Sequence, residues 1–287
     1  MKVVYLIVAH KQFDLLAQII KALKHPDIDI IIFFDKKADV DISEFENTVG
    51  ENENVFYLEE RININWGGFS FLLALIKLLE AALSFNKYDY LSFISGQDYP
   101  IKSNAFILNY LNANRGMDFI EHFSVPRTDG EWGSLGGAER FECFWLIDQL
   151  GFNDSYDFCK KQKAENIKRI VPENLALYGG SNWMTITRAC GQFIIAYLKN
   201  NPHVLNFFKH VFIPEEMLFQ TIVLNSDFKG RVINDNLRFI DWKHNGPKPK
   251  VLGMEDFDRL IKSSSHFARK FDLTVDAEII NTLKKIR

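Results

Sequence analysis

The sequence predicts an α/β fold: a mixed, mostly parallel sheet of Rossmann-like character with helices on both faces. Three observations predict it. The apolar runs Val3–Ala9, Ile28–Phe34, 55–58 and 90–94 are continuous, not alternating, which is the pattern of strands covered on both sides. Stretches with apolar residues at helical spacing, 13–23 and 69–83, separate them. Each main run also stops abruptly in polar residues, at Ala9-His10, Asp35-Lys36 and Ser95-Gly96-Gln97-Asp98. In parallel sheets ligands sit beyond the carboxyl ends of the strands, so these three ends mark the site.

Taken in order, Val3–Ala9 is too short to cross a bilayer and runs into His10-Lys11-Gln12 without a cleavage pattern, so it reads as a buried strand and not a signal peptide. Ile28–Phe34 ends in Asp35-Lys36-Lys37, 55–58 is a short third strand, and Asn65-Trp66-Gly67-Gly68 introduces the long apolar helix 69–83. After the fourth strand, 124–138 is rich in Gly and polar residues and reads as a surface loop near a site. A helix is expected over 153–170, a loop leading into a strand over 177–187, and a helix over 189–199. Pro214-Glu215-Glu216 precedes the apolar run 217–224 and reads as the first turn of a helix, with its acids at the positive end of the dipole. Lys243, Lys248, Lys250, Arg269 and Lys270 gather around a Gly246-Pro247 break near the C-terminus.

Composition excludes several classes. With 287 residues, 34 Lys+Arg against 37 Asp+Glu and a net charge of -3, there is no global positive field to coat nucleic acid. At 47% hydrophobic the chain is not disordered. Cys143, Cys159 and Cys190 form an odd set without a CxxC pair, so neither a disulfide framework nor a zinc site is expected, and reduced thiols of a cytoplasmic protein are. No dinucleotide fingerprint, P-loop or nucleophile elbow is present; Gly179-Gly180-Ser181-Asn182-Trp183 only approaches the last. Asp27-Ile28-Asp29 and Asp39-Val40-Asp41 are Asp-x-Asp triplets of the kind that hold divalent ions, but both read as solvated turn residues.

Eight segments carry a family resemblance. They begin at Tyr5-Leu6-Ile7-Val8-Ala9-His10, Phe34-Asp35-Lys36-Lys37 and Asn65-Trp66-Gly67-Gly68-Phe69-Ser70. Ser95-Gly96-Gln97-Asp98-Tyr99-Pro100, Gly180-Ser181-Asn182-Trp183 and Pro214-Glu215-Glu216-Met217 follow, then Leu237-Arg238-Phe239-Ile240-Asp241-Trp242 and Phe267-Ala268-Arg269-Lys270-Phe271-Asp272. In this order, over nearly the whole chain, they resemble glycosyltransferase family 14: the core-2/I-branching β-1,6-N-acetylglucosaminyltransferases and the related peptide O-xylosyltransferases.

The resemblance implies a GT-A fold in one domain, 1–287, with a nucleotide-sugar half (1–123) and an acceptor and catalytic half (124–287). It implies a UDP-sugar donor (GlcNAc first, xylose or glucuronic acid next), a glycan or lipid-linked glycan acceptor, inversion at the anomeric carbon and no divalent metal or other cofactor. Glu216 matches the family's general base and Lys270 its diphosphate lysine. Lys250 is the nearest second cation, with Lys248 or Arg269 as substitutes. Asp35, Val8 and His10 match the nucleoside side, where Arg61 would compensate for an arginine absent near Trp66. Asp98 would lie beside the donor sugar or order its loop; Trp183 and Trp242 are sugar platforms or core; Glu139, with Arg140 and Trp145, lies in the acceptor region. Without an anchor in the sequence, a bacterial enzyme at the inner membrane face is expected, helix 13–24 and the Lys-rich C-terminus being surfaces for lipid or for solvent. The rivals are a metal-dependent transferase using Asp39 and Asp41, and a non-catalytic glycan- or nucleotide-binding module.

Overall fold

The computed structural model describes residues 1–50, 52–129, 131–242 and 248–287. Lys243 and the Gly246-Pro247 break therefore lie outside the described residues. The strands are β1 (Val3–Ala9), β2 (Ile28–Phe34), β3 (Val55–Tyr57), β4 (Tyr90–Ser95), β5 (Asp98–Pro100), β6 (Asp118–Phe119), β7 (Phe123–Ser124), β8 (Tyr178–Gly179), β9 (Thr185–Thr187), β10 (Val232–Ile233), β11 (Arg238–Ile240) and β12 (Phe267–Arg269). The main sheet has the order β10-β6-β9-β4-β1-β2-β3. Its β4-β1-β2-β3 part is parallel, as the continuous apolar runs require, while β9 pairs antiparallel with both β4 and β6. Strands from both halves of the chain thus interleave in one sheet.

The two faces follow from the two-residue period of a strand. Along β1, Val4, Leu6 and Val8 enter one core and Val3, Tyr5, Ile7 and Ala9 the other. Helices Phe69–Ser84 and Arg188–Asn200 cover the first face, and Phe13–Ala22, Asn104–Ala113 and Glu278–Ile286 the second. Helix Phe13–Ala22 turns Leu15, Leu16, Ile19 and Ile20 into that core, leaving its apolar stripe no part in contacting lipid. Among the described residues no helix is long and apolar enough to cross a membrane.

Two expectations need correction. The helix predicted over 153–170 runs from Ile147 to Ala164, with a non-helical kink at Gly151 (φ 78°). Pro214–Glu216 is a separate 3-10 turn and the α-helix begins only at Leu218, so neither glutamate rides in an α-helical first turn. The cysteines are free and buried, but Cys143 and Cys159 are neighbours in a small cluster with Trp145 and Ile147.

A second sheet, β11-β12-β5, stands at the carboxyl edge of the first. β5 leaves the β4 end through Gly96 and Gln97 and pairs antiparallel with β12, placing Asp98 opposite Arg269. This register brings two segments some 170 residues apart in sequence to the place where β1, β2 and β4 end.

Candidate active site

Asp98 is fully buried. Its Oδ2 accepts the Ser95 N–H, and its Oδ1 lies 3.5 Å from Arg269 Nε. Gln97 and Phe271 close the junction from both sides: Phe271 N donates to Gln97 O (2.9 Å) and Gln97 Nε2 to Phe271 O (3.2 Å). Behind Asp98, Arg238 donates to Ser92 Oγ (2.9 Å) and Phe93 O (3.0 Å), and burial pulls its pKa down to about 10. Asp98 is thus an internal counter-ion that orders the loop, the second of its two expected roles. Trp183 is only 7% exposed, with the Arg269 guanidinium 4.3 Å over its ring. That corrects its reading as a sugar platform: it is the floor beneath Arg269. Trp242, 58% exposed, keeps an open ring.

Lys270 follows Arg269 and makes no ion pair or side-chain hydrogen bond among the described residues. Its ammonium pKa is lowered by burial, then by the charges of Lys11, Lys248 and Arg269, against which only Asp272 pulls upward. Like charges that converge without equal carboxylate compensation make a site waiting for an anion. Lys250 does not belong to it. Its Nζ is 2.8 and 2.9 Å from the buried Asp256 carboxylate and 3.0 Å from Glu255, so its charge is compensated inside the protein. Lys248 and Lys11 replace it as companions of Lys270. Lys11 was missed because no motif singles it out, although it lies just past the end of β1.

At the β2 end Asp35 is buried, and its Oδ1 accepts the N–H groups of Lys37 (3.0 Å) and Ile64 (3.2 Å). Arg61 donates through Nη2 to the carbonyls of Asp35 (2.8 Å) and Ala38 (2.7 Å), bracing this loop from behind. Val8 is buried at the β1 end and His10 is exposed beyond it. Partial desolvation of the ring and then Lys11 lower the His10 pKa, favouring the neutral imidazole, with Asp35 opposing.

The loop carrying Glu216 is held in a strained conformation. Ile213 has φ 53° and ψ 57°, a left-handed backbone that costs a β-branched residue about 1–3 kcal/mol. Its N–H donates to Gly67 O (2.9 Å), which fixes it. Asn65-Trp66-Gly67-Gly68 is built for that contact. Gly67 has φ 77°, and a Cβ there would stand 2.5 Å from the Phe212 ring; a Cβ on Gly68 would stand 2.6 Å from Asp148 Oδ1. Asp148 accepts from Ser70 N (2.9 Å), Ser70 Oγ (2.6 Å) and Asn65 Nδ2 (3.0 Å), pinning the turn.

Glu216 is partly open to solvent, and its Oε2 accepts from Arg140 Nη1 at 2.7 Å. Arg140 is itself positioned with its guanidinium carbon 3.6 Å over the Trp132 ring. Glu139, its neighbour, turns its carboxylate toward Gly133, while its carbonyl accepts from Trp145 Nε1 (3.0 Å). Glu139 therefore packs the loop around Gly133, and Arg140 is the residue of that pair that reaches Glu216.

Glu215 is buried beneath Glu216. Burial, then the Glu216 charge, push its pKa up to about 8. Unfolded, it ionises near 4.5. Between these values the folded state holds the extra proton, so the stability contributed is full below 4.5 and is lost as pH rises through about 8. Glu215→Gln removes this dependence. Its melting temperature matches wild type near pH 5 and exceeds it by several degrees at pH 8.5; parallel melting curves across that range would count against a buried neutral carboxyl.

Asp41 Oδ1 caps helix Ile42–Val49 by accepting from Glu44 N (3.1 Å), and Asp29 is buried among Lys2, Lys87 and Tyr88. Among the described residues no three His, Cys, Asp or Glu side chains gather as a cage for a metal ion.

The sequence model of the Core-2/I-branching enzymes matches residues 3–261. The chain belongs to the Core-2/I-branching enzyme family. This bears out the resemblance carried by the motifs, and the family is one of glycosyltransferases. Among its relatives, a xylosyltransferase of Ciona intestinalis is 26% identical over 98% of the chain and 34% of its own length. Xylosyltransferase 2 of Mus musculus is 24% identical over 98% of the chain and 33% of its own length. The chain spans about one third of the length of these relatives. Likeness to solved structures is distant: S. aureus TarS has a TM-score of 0.36 and 13% identity over 81% of this chain and 34% of that one.

Proposed function

We propose that this Core-2/I-branching enzyme transfers a sugar from a UDP-sugar to a hydroxyl of a glycan or lipid-linked glycan, with inversion and without a divalent metal, on a GT-A type fold. The observation that carries the reading is the cluster of Lys270, Lys11 and Lys248, with less carboxylate than cation around it, at the carboxyl edge of the sheet beside the Arg269–Asp98 pair. A leaving diphosphate needs its developing charge met by preorganised cations, and partial burial strengthens Lys270 among them.

The chemistry is a single displacement. The acceptor oxygen bonds to the anomeric carbon on the face opposite the leaving group, while Glu216 takes the hydroxyl proton. The bond from that carbon to the diphosphate oxygen breaks, and UDP leaves carrying the electron pair. Arg140 aims the Glu216 carboxylate, and buried, protonated Glu215 adds no second negative charge below about pH 8. Asp35 and Val8 border the nucleoside, with Arg61 bracing the loop they face. The helix cap formed by Asp41 leaves little support for the metal-dependent rival.

The relatives, xylosyltransferases, favour xylose, ahead of GlcNAc and glucuronic acid, as the transferred sugar. Donor hydrolysis across UDP-xylose, UDP-GlcNAc, UDP-glucuronate, UDP-galactose and UDP-glucose tests the reading. Release of UDP from one of them well above the rest is expected, and no release from any would overturn it.

A further inference from the structure

The main sheet ends at β3, and this end stands open. Among the described residues β3 pairs with β2 alone. Two backbone bonds carry the pairing past the strand itself, Ile30 N to Asn54 O (2.8 Å) and Leu58 N to Ile32 O (2.9 Å), so the ladder runs over 54–58. In a parallel ladder alternate residues bond to one neighbour. Asn54 and Leu58 bond inward to β2, and Phe56 shares their phase. The carbonyls of Val55 and Tyr57 and the N–H groups of Tyr57 and Glu59 therefore face outward, without a partner among the described residues. Sheet edges are commonly blunted by lysine or proline, and neither stands between Asn52 and Glu60.

The two faces of this edge differ in chemistry. On one, Phe56 and Phe85 lie 4.7 Å apart between ring centroids, with Lys87 Nζ 5.1 Å over each, and Phe85 is 39% exposed. That lysine is already paired with buried Asp29 (2.6 Å), so this face offers apolar rings. On the other, Val55 and Tyr57 lie beside helix Ile42–Val49. Its exposed Glu46 is near enough to the Tyr57 phenol to help raise the pKa there, after burial, to about 12. Glu59 follows Val55 and Tyr57 in phase and falls on the same face. Glu60 is paired with Lys77 (2.8 Å), whereas Glu46 and Glu59 have no ion pair among the described residues. A cleft of about 500 Å3 follows the edge, lined by Ile42, Glu46, Val55, Tyr57, Glu59 and Phe85 among others.

An extended chain laid along β3 takes up the outward backbone groups, and its two-residue period sends alternate side chains to the two faces. Those opposite Val55, Tyr57 and Glu59 meet the carboxylates, and those opposite Phe56 and Leu58 meet the rings. We propose that the β3 edge docks an extended segment of a partner protein in which basic residues alternate with apolar ones. A second copy of this chain is the poorer occupant. Antiparallel pairing of two such edges gathers both copies of Glu46 and Glu59 on one face, where like charges repel. This docking is separate from the transfer chemistry, since none of these residues belongs to the Glu216 or Lys270 groups.

The test uses the full chain and two fluorescein-labelled peptides of equal composition, read by anisotropy. One alternates lysine with valine; the other carries its lysines and valines in blocks. The alternating peptide should bind wild type about tenfold or more tighter than the block peptide, and should slow hydrogen–deuterium exchange over 54–59. The double variant Glu46→Lys, Glu59→Lys, both exposed positions, should lose about tenfold in affinity for it and gain affinity for a peptide alternating glutamate with valine. UDP affinity by calorimetry stays within about twofold of wild type in that variant. Wild type that binds no alternating peptide overturns the proposal, as does equal binding of the block peptide or unchanged affinity in the double variant. Binding that leaves exchange over 54–59 unaltered places the peptide elsewhere and overturns it too. Self-association of wild type that protects the same segment would assign the edge to a second copy, with the same consequence.

Discussion

Glu216→Gln keeps UDP affinity close to wild type and lowers kcat by about 100- to 10,000-fold, the range of a lost general base. The substitution is nearly isosteric, and the amide oxygen still accepts the Arg140 hydrogen bond, so the 3-10 turn and its contact with Gly180 persist. Only the capacity to take a proton disappears. The rate loss should appear in kcat and not in the acceptor KM, because the proton moves only as the acceptor attacks. If Glu216 were one more ion-pair partner for Arg140, Gln would cost little rate and a small amount of stability. Single-turnover rates at saturating donor and acceptor separate the two outcomes.

Lys270→Ala weakens UDP by about 10- to 100-fold and leaves uridine nearly unaffected. The range is that of a charge-assisted hydrogen bond of about 1.5–3 kcal/mol. The contrast between ligands isolates the diphosphate, since uridine lacks it. Lys250→Ala is the control. It leaves the buried Asp256 carboxylate with Arg259 as its remaining cation, so its melting temperature falls while UDP affinity stays near wild type. Should Lys250→Ala weaken UDP more than Lys270→Ala, the assignment of the two lysines would be reversed. Equal losses for UDP and uridine in Lys270→Ala would remove that residue from the diphosphate site.

The strand ends were legible because burial on both faces leaves a continuous apolar run that must stop where the ligand edge begins. Ala9-His10, Asp35 and Ser95–Asp98 all lie at that edge. Glu216 and Lys270, the proposed base and diphosphate lysine, were picked out by short motifs. Partner choice was not. Lys250 and Lys248 look alike in sequence, and only the fold brings Asp256 and Glu255 to one of them. Trp183 and Trp66 are equally aromatic, yet one is packed under Arg269 and the other stands open.

Glycines carried a signal that was present but unread. Gly67 and Gly68 are required by Phe212 and Asp148, residues some 145 and 80 positions away, so the motif encodes a tertiary contact and not only a turn. β9, the strand expected at the end of 177–187, is only three residues long and offers too little pattern to show its antiparallel direction. The 3-10 turn at Pro214–Glu216 has the same proline and acids that open an α-helix, and the break at Met217 is set by tertiary packing.

The central claim is that lysine and arginine side chains do here what a divalent ion does in metal-dependent sugar-nucleotide transferases. The direct measurement is UDP release from the preferred donor, with acceptor present, in wild-type protein stripped by and assayed in excess EDTA. Turnover equal to that in added Mg2+ or Mn2+ is the predicted result. Turnover that vanishes in EDTA and returns on adding either ion contradicts it.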